Sequence, residues 1–235
     1  MTCAVDMDAH AGVQAPVQHF PSACMTVARM HGGALRSAQD ELAEEVPVAL
    51  EYNGVSHAVM LATPADLEEF ALGFSLSEGI IASPAECYGV EIEHAASGIT
   101  AHIDLAAGAF MRLKERRRSL AGRTGCGLCG VDSLAQVVRP LPWLAPTRAL
   151  SGAAIRRALL DARAQQPLNR ITGATHAAIW CGRDGMPRAA FEDVGRHNAL
   201  DKLIGGLHLG GADLADGFCV ITSRASVEMV QKAAT

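Results

Sequence analysis

Apolar and polar positions after residue 45 alternate in a way that predicts two strands joined by a tight turn. The two apolar runs are Val46–Tyr52 and Val55–Leu61, and Asn53-Gly54 lies between them. An Asn-Gly pair in this context predicts a hairpin, because both turn residues need positive φ. Apolar residues then recur at helical spacing up to Gly79, with Thr63 as the predicted cap, so we expect a helix over this segment.

The rest of the chain alternates between strand and helix patterns. A helix capped by Ser151 has its apolar residues on one side, and an Arg183-Asp184-Gly185 turn separates two strand patterns. The uninterrupted apolar run 218–222 predicts a strand that is buried on both faces. This alternation is typical of an α/β layered fold. The predicted strands lie at 88–93, 99–105, 176–181, 187–191 and 218–222, and the predicted helices at 151–166, 198–209 and from 227 onward.

Four segments differ in composition and pattern, and they define the predicted organisation of the chain. Residues 1–40 have no sustained period, so we expect a disordered tail with one short strand at 25–30. Residues 41–109 are the predicted N-terminal subdomain, and residues 146–235 the predicted C-terminal subdomain. Residues 110–145 between them hold a basic run and a glycine-rich pair of cysteines.

Composition excludes several classes of protein. The 235 residues are 49% hydrophobic and 19% charged, which is the balance of a globular chain rather than a disordered one. Aromatic residues at 4% and a net charge of −5 argue against nucleic-acid binding. No apolar run has the roughly 18 residues of a membrane span, and the N-terminus lacks the pattern of an export signal, so we expect a cytoplasmic protein. Its seven cysteines are then expected to be thiols.

Cys126 and Cys129 are the strongest candidates for chemistry. Two thiols separated by two residues can share a proton or relay sulfur, and the glycines around them leave the sulfur atoms accessible. Arg123 and the basic run before it would raise the thiolate fraction by stabilising the anion. Spacing alone leaves two other interpretations open, which are half of a zinc site and a pair of inert thiols. Further zinc ligands would have to be brought by the fold, and the candidates are Cys181, Cys219 and His176.

Two further motifs place polar residues at predicted strand-to-helix junctions. Glu192–Asn198 carries two acids, an Arg, a His and an Asn, and Thr222–Ser226 carries hydroxyl groups and an Arg. Helix N-termini attract anions, so either motif is suited to bind a phosphate. The alternatives are a capped helix start with local ion pairs, and ordinary capping by Ser223. The basic run Arg112–Arg118 is either a solvated helix face or a docking strip for an acidic partner.

Four motifs together resemble the formate dehydrogenase accessory sulfurtransferase family (FdhD). The resemblance covers about residues 40–235, and Glu45-Val46-Pro47 and the Thr63–Gly79 helix also match its N-terminal region. The motifs occur in the family's order, which makes the resemblance more specific than an isolated Cys-x-x-Cys pair. They are Gly122–Gly130, Thr172–Ala178, Phe191–Lys202 and Ile221–Ser226.

The resemblance implies a cytidine-deaminase-like α/β (α+β) fold with three layers and a smaller N-terminal subdomain of hairpin and helix. It also implies a sulfurtransferase and sulfur carrier that takes sulfur from a cysteine desulfurase as a persulfide. The acceptor would be the molybdenum or tungsten bis-pyranopterin guanine dinucleotide cofactor of formate dehydrogenase, which binds transiently as a substrate. By motif position, Cys126 would carry the persulfide and Cys129 would assist or relay it. The family also implies a homodimer without a permanently bound cofactor.

The remaining expectations also rest on this resemblance. We expect Arg196, His197, Ser223 and Arg224 to hold the phosphates and guanine of the transient cofactor. Deaminase activity is not supported, because no His-x-Glu precedes a Pro-Cys-x-x-Cys in this chain. Family chains continue further, so we expect a truncated C-terminus and an incomplete C-terminal subdomain. Two alternatives stay open, which are a thiol–disulfide oxidoreductase that uses the same cysteines and a non-catalytic chaperone for the molybdenum cofactor.

Overall fold

The structure is a computed structural model that describes residues 17–120 and 149–234, without the side chains of 117–120. Its strands form three sheets of two, four and three strands. The strands are β1 (Ser22–His31), β2 (Ala34–Ala43), β3 (Val46–Tyr52), β4 (Val55–Ala62), β5 (Cys87–Ala95), β6 (Gly98–Leu105), β7 (His176–Gly182), β8 (Pro187–Asp193) and β9 (Gly217–Ile221). The helices are α1 (Leu67–Ser77), α2 (Ala107–Leu120), α3 (Gly152–Asp161), α4 (Pro167–Thr172), α5 (Arg196–Leu209) and α6 (Val227–Ala234), with short 3-10 turns at Pro84–Glu86 and Ala162–Gln165.

The four-stranded sheet confirms the hairpin that the sequence predicts. Its order is β4-β3-β6-β5, and β3 turns into β4 at Asn53 and Gly54, whose φ angles are 46° and 77°. Alternate residues of β3 face the same side, as the pleat of a strand requires. Leu50 and Tyr52 therefore meet Phe70 of α1 in one core, and all three are fully buried.

Residues 22–43 form an antiparallel hairpin, so the expectation of a disordered tail is wrong for the described part of residues 1–40 from Ser22 onward. Gly32 and Gly33 make the turn with φ angles of 58° and 82°, which glycine adopts without strain. The predicted strand at 25–30 lies within β1 and is confirmed. The rest of the hairpin escaped prediction because most of its side chains are exposed on both faces, so no apolar alternation marks it. Residues 1–16 lie outside the described part of the chain.

The three-stranded sheet is the middle layer of a three-layer arrangement, as expected for the C-terminal subdomain. Its order is β8-β7-β9, and β7 is antiparallel to both neighbours. Successive residues of β7 point to opposite faces. Ala177, Ile179 and Cys181 form a cluster with α3, whereas Ala178 packs with α5 and with Met229 of α6. The predicted mixed α/β class and its layering are therefore confirmed.

Two predicted elements differ in detail from the structure. The five residues of β9 are half-buried rather than buried on both faces, because β9 lies at an edge of the described sheet with β7 beside it. Helix α1 begins at Leu67 rather than directly after Thr63, and Asp66 precedes it with a φ of 53°. Thr63 does not cap the helix, because its polar groups bind the C-terminal half instead.

Helices α1 and α5 cross at two glycines and thereby join the two halves of the molecule. A Cβ atom on Gly73 would overlap the backbone of Asp201, and one on Gly205 would overlap the backbone of Glu69. The missing side chains allow the two helix backbones to approach this closely. Among the described helices, none combines the length and the apolar character that a membrane crossing requires.

Candidate functional site

Three of the sequence motifs meet at one edge of the three-stranded sheet. Strands β8 and β9 both run antiparallel to β7, so their C-terminal ends lie where β7 begins. The Thr222 amide donates to the Ala177 carbonyl at 3.0 Å, and the Ala177 amide donates to Thr222 Oγ1 at 2.9 Å. Helices α5 and α6 therefore both begin just beyond this edge of the sheet. We call it the motif edge, and it consists of the start of β7 and the ends of β8 and β9.

Asp193 and Lys202 form a fully buried ion pair directly behind this motif edge. Lys202 Nζ lies 2.7 Å from Asp193 Oδ2, and neither side chain is exposed to solvent. The ammonium also donates to the carbonyl oxygens of Thr63 at 3.0 Å and Glu192 at 3.3 Å. All three of its protons are thus engaged, so Lys202 holds the segment before α1 against α5 rather than acting on a substrate.

Asn198 completes this network. Its Nδ2 donates to the Leu61 carbonyl at 2.8 Å and to Asp193 Oδ1 at 3.0 Å. Asp193 also accepts the Gly195 amide at 2.7 Å and, through its other oxygen, the Thr63 amide at 3.0 Å. The interpretation as a helix start with a local network is therefore right for this part of the motif.

Glu192 is also structural. Its carboxylate accepts the amides of Leu168 at 2.8 Å and Asn169 at 2.7 Å, and the hydroxyl of Thr175 at 2.9 Å. A carboxylate at the first amides of α4 fits the positive end of a helix. Glu192 therefore fixes α4 against β8.

Arg196 and His197 are the two charged or titratable residues of the motif that no such network absorbs. Arg196 Nε and His197 Nε2 are buried, and each lacks a hydrogen-bond partner among the described residues. Both lie in the first turn of α5, where the helix dipole attracts anions. Burial lowers the pKa of His197, and the charges of Arg196 and Lys232 lower it further. His197 is therefore a neutral imidazole near pH 7, beside a permanent cation.

A second buried cluster lies behind α6. Lys232 Nζ is 2.8 Å from Asp201 Oδ1 and 3.3 Å from Glu78 Oε1, and Ser77 donates to Asp201 at 2.6 Å. Burial raises the pKa of Asp201, and Lys232 opposes this effect. Arg116 of α2 donates to the Glu78 carbonyl at 2.6 Å. The helix that leads into residues 121–148 is thus attached beside Lys232, one of the groups that act on His197.

The second pair of expected cofactor contacts also follows the motif edge. Arg224 is exposed, and Ser223 Oγ donates to the Arg224 carbonyl at 3.2 Å within the turn. Ser223 therefore does not cap α6, which begins at Val227. The structure brings both residues to the same edge as Arg196 and His197.

Cys126 and Cys129 lie outside the described residues, so the structure does not test them as sites. The described thiols are Cys24, Cys87, Cys181 and Cys219. Burial raises the pKa of Cys87 and Cys181, and it raises that of Cys219 to about 12, so these three are protonated and poorly reactive.

Cys181 and Cys219 cannot both complete the zinc site that the cysteine spacing leaves open, and the contribution of His176 is not tested, because Cys126 and Cys129 lie outside the described residues. Cys181 belongs to the cluster under α3, whereas Cys219 packs on the opposite face of the sheet, under α5. Two side chains on opposite faces of one sheet cannot ligate the same ion. Within 17–120 and 149–234, no three His, Cys, Asp or Glu residues are placed to hold a metal ion.

The basic run is part of the fold as well as of the surface. Arg112 Nη2 lies 2.7 Å from both carboxylate oxygens of Glu86, and Lys114 Nζ lies 4.2 Å from the ring centre of Phe110. With the bond from Arg116 to the end of α1, these contacts fix α2 on the N-terminal half. The interpretation of the basic run as a solvated helix face is therefore incomplete.

These features define the class of the molecule, a mixed α/β protein of two interlocked halves with a cationic site at one sheet edge. The likeness to a crystal structure from Desulfotalea psychrophila, described as a candidate formate dehydrogenase accessory protein, agrees with that fold. The TM-score is 0.69 at 24% identity, over 91% of this chain and 80% of that one. At this identity the likeness bears on the fold alone.

The chain belongs to the FdhD/NarQ family, whose model matches residues 43–235. It is 52% identical to the sulfur carrier protein FdhD of Cupriavidus necator over 237 residues, which covers all of this chain and 81% of the relative. It is 57% identical to the protein of the same name from Variovorax paradoxus over 194 residues, 83% of this chain and 70% of the relative. The relative from Chromobacterium violaceum, also of that name, is 54% identical over 213 residues, 89% and 79% of the two chains. The sulfur-carrier function expected from the sequence is thereby confirmed.

Proposed function

We propose that the protein receives sulfur from a cysteine desulfurase as a persulfide on Cys126. It then passes this sulfur to the molybdenum or tungsten bis-pyranopterin guanine dinucleotide cofactor that serves formate dehydrogenase. The observation that carries the proposal is the family match over 43–235, which includes the Cys126-Gly-Leu-Cys129 motif. The raised pKa values of three other cysteines support the assignment, because a protonated thiol is a poor nucleophile.

The loading step is an exchange between sulfur atoms. The Cys126 thiolate attacks the outer sulfur of the donor persulfide, a new S–S bond forms, and the donor cysteine leaves as a thiolate. No external oxidant is required, because one S–S bond replaces another.

The release step uses the second cysteine. The Cys129 thiolate attacks Sγ of the loaded Cys126, which forms a disulfide and expels the outer sulfur as sulfide toward the metal. The two thiols supply the two electrons that convert sulfane sulfur to sulfide. A cellular dithiol reductant then restores both cysteines.

The motif edge is the place where we expect the acceptor to bind. Arg196 and His197 offer a cation and an unpartnered ring nitrogen at a helix N-terminus, and this arrangement suits the phosphates of a dinucleotide. Cys126 follows Leu120 by six residues, so an extended chain would place it within about 20 Å of the end of α2. Arg224 and Ser223 at the same edge would contact the same ligand.

Intact-mass measurement after incubation with a desulfurase and cysteine tests the loading step. We expect the wild-type chain to gain the mass of sulfur, Cys126→Ala to gain none at the site, and Cys129→Ala to load but not release sulfide. Cys24→Ala is the matched control, because Cys24 is an exposed thiol outside the motif. A loss of two hydrogens without added sulfur would favour the thiol–disulfide oxidoreductase.

Maturation of formate dehydrogenase in cells tests the role of the cysteine itself. We expect Cys126→Ala to abolish enzyme activity in a strain that lacks the native protein. Normal maturation by this variant would favour the non-catalytic chaperone instead. A cytoplasmic location and a homodimer are part of the same proposal, and fractionation and light scattering measure them directly.

A further inference from the structure

A cavity of about 540 Å³ lies beside β8, on the side of the strand that faces away from β7. Its walls come from the base of the β1–β2 hairpin, from the segment before α1, and from the turn that leads into α4. Small or proline side chains line much of it, among them Ala164, Pro167, Ala189 and Ala190. The cavity is therefore bounded by backbone and short side chains rather than by a packed core.

The backbone of β8 is open toward this cavity. In the described sheet β8 has β7 as its one neighbour. Near the end of β8, the Val194 amide donates to Thr63 Oγ1 at 3.1 Å, so the segment before α1 covers that part of the edge. Ala177 turns its amide and carbonyl toward β9, so Ala178 and Trp180 are the β7 residues that pair with Phe191 and Ala189 of β8. The main-chain groups of Ala190 therefore point to the outer edge, where no hydrogen bond from the rest of the described chain reaches them. An unpaired strand edge is a template for a further strand.

The two ends of the cavity carry opposite charges. Asp66 lies at the end near Glu192, and its side chain neither caps α1 nor pairs with another described group. Arg188 lies at the other end, with 61% of its side chain exposed and Asp184 no closer than 3.7 Å. Four residue steps along a strand separate Arg188 from Glu192, which is about 13 Å. The cavity therefore has the length of a short extended peptide.

We propose that the open edge of β8 binds an extended segment of a partner protein, four to five residues long, as an additional antiparallel strand. A cationic residue of this segment pairs with Asp66, and an acidic residue four positions later pairs with Arg188. Main-chain hydrogen bonds to Ala190 supply affinity, and the two end charges select the direction of the segment. This site is separate from the motif edge and does not rest on the sulfur-transfer proposal.

Fluorescence anisotropy with two labelled pentapeptides of identical composition tests the proposal. The first is acetyl-Lys-Val-Thr-Val-Glu amide, and the second has the Lys and Glu exchanged. We expect the first to bind about tenfold more tightly to the full chain. Asp66→Asn and Arg188→Gln should each remove most of this difference, whereas Asp216→Asn, at an exposed acid elsewhere, should leave it unchanged.

Two further measurements test the main-chain pairing and distinguish a partner segment from other occupants of the edge. A version of the first peptide with proline in place of the threonine should lose binding, because it lacks the amide that pairs with Ala190. Equal affinity for the two charged peptides, or no binding at millimolar concentration, would overturn the proposal. A dimer that Asp66→Asn dissociates would assign the edge to a second copy of the chain and would also overturn it. Sulfur loading on Cys126 should be unchanged in Asp66→Asn and Arg188→Gln, so the two proposals can fail separately.

Discussion

Replacement of Lys202 by Met should be among the most destabilising single changes in the described structure. The substitution keeps most of the side-chain volume but removes the ion pair to Asp193 and two hydrogen bonds to backbone carbonyls. Asp193 then remains buried without its counter-ion. Removal of one partner from a buried pair costs about 3–5 kcal/mol. Since domains of this kind unfold at about 5–15 kcal/mol, the loss is a large share of the total.

The double variant tests the cause of this loss. Asp193→Asn removes the buried charge but keeps an oxygen that can accept the Gly195 amide. In the Lys202→Met background it should therefore recover part of the stability, and the two changes should be non-additive by about 2 kcal/mol. Urea unfolding followed by circular dichroism gives the free energies of all four proteins of the cycle.

Lys114→Met is the matched control, because Lys114 is partly exposed and its described contact is with the ring of Phe110. It should cost less than about 1 kcal/mol. If Lys202→Met cost no more than this control, or if the double-mutant cycle were additive, the buried pair would not join the two halves as argued.

Three further changes test the other contacts. Gly205→Ala should lower the melting temperature sharply, since the new Cβ overlaps the backbone of α1 at the helix crossing. Lys232→Met should lower the free energy of unfolding more at pH 7 than near pH 4. Burial raises the pKa of Asp201, so the variant loses stability as the pH rises and this carboxyl ionises without its counter-ion. Arg196→Gln should raise the pKa of His197 in an NMR titration, because it removes a neighbouring cation. The folded pKa of this imidazole lies below its unfolded value, so its contribution to stability falls as pH drops between the two.

Each of these changes has a control and an outcome that would contradict it. Gly108→Ala introduces a Cβ that meets only the Arg112 side chain at 3.7 Å, so it should be neutral or stabilising by up to about 1 kcal/mol. Equal effects of Gly205→Ala and Gly108→Ala on the melting temperature would show that the close helix crossing at Gly205 does not set the effect. A pH-independent loss for Lys232→Met, or an unchanged imidazole titration in Arg196→Gln, would contradict the electrostatic assignments. Arg224→Gln, at an exposed arginine, should not move that titration.

Local signals in the sequence predicted much of the fold because the features they mark depend on near neighbours. The Asn53-Gly54 turn and the Ser151 cap, which accepts the Ala154 amide at 3.1 Å, both act within a few residues. The role of Thr63 could not be read in this way. It has the residue type and the position of a helix cap, but its amide and hydroxyl bind groups that lie 130 and 131 residues further along the chain. Only the packing of α1 on α5 brings those groups together.

The roles of residues in the candidate site also depend on contacts between distant parts of the chain. The sequence identified the motifs and their attraction for anions, and topology then brought them to one edge. The sequence alone could not distinguish residues that are available to a ligand from residues that stabilise the fold, because Glu192 and Arg196 are both charged residues of the same motif. Burial and hydrogen bonding separate them. The cluster of Lys232 and Asp201 carried no recognisable signal, since its members lie 31 residues apart in unrelated patterns.

Glu192 and Asp193 are bound within the fold, which reduces their effect on a ligand at the motif edge. Glu192 is bound by two amides and a hydroxyl, and Asp193 by an ammonium and three further donors, so both carboxylates are engaged within the fold. Arg196 remains as the permanent charge in the first turn of α5, and the positive end of the helix dipole adds to it. For the proposed phosphate-bearing acceptor, Arg196 and the helix dipole would supply attraction at this edge, and the nearby carboxylate of Glu228, which interacts with Arg196 and His197, would oppose it. The net charge of −5 argues against nucleic-acid binding, but the charges that an incoming ligand meets at this edge depend on which carboxylates the fold has buried.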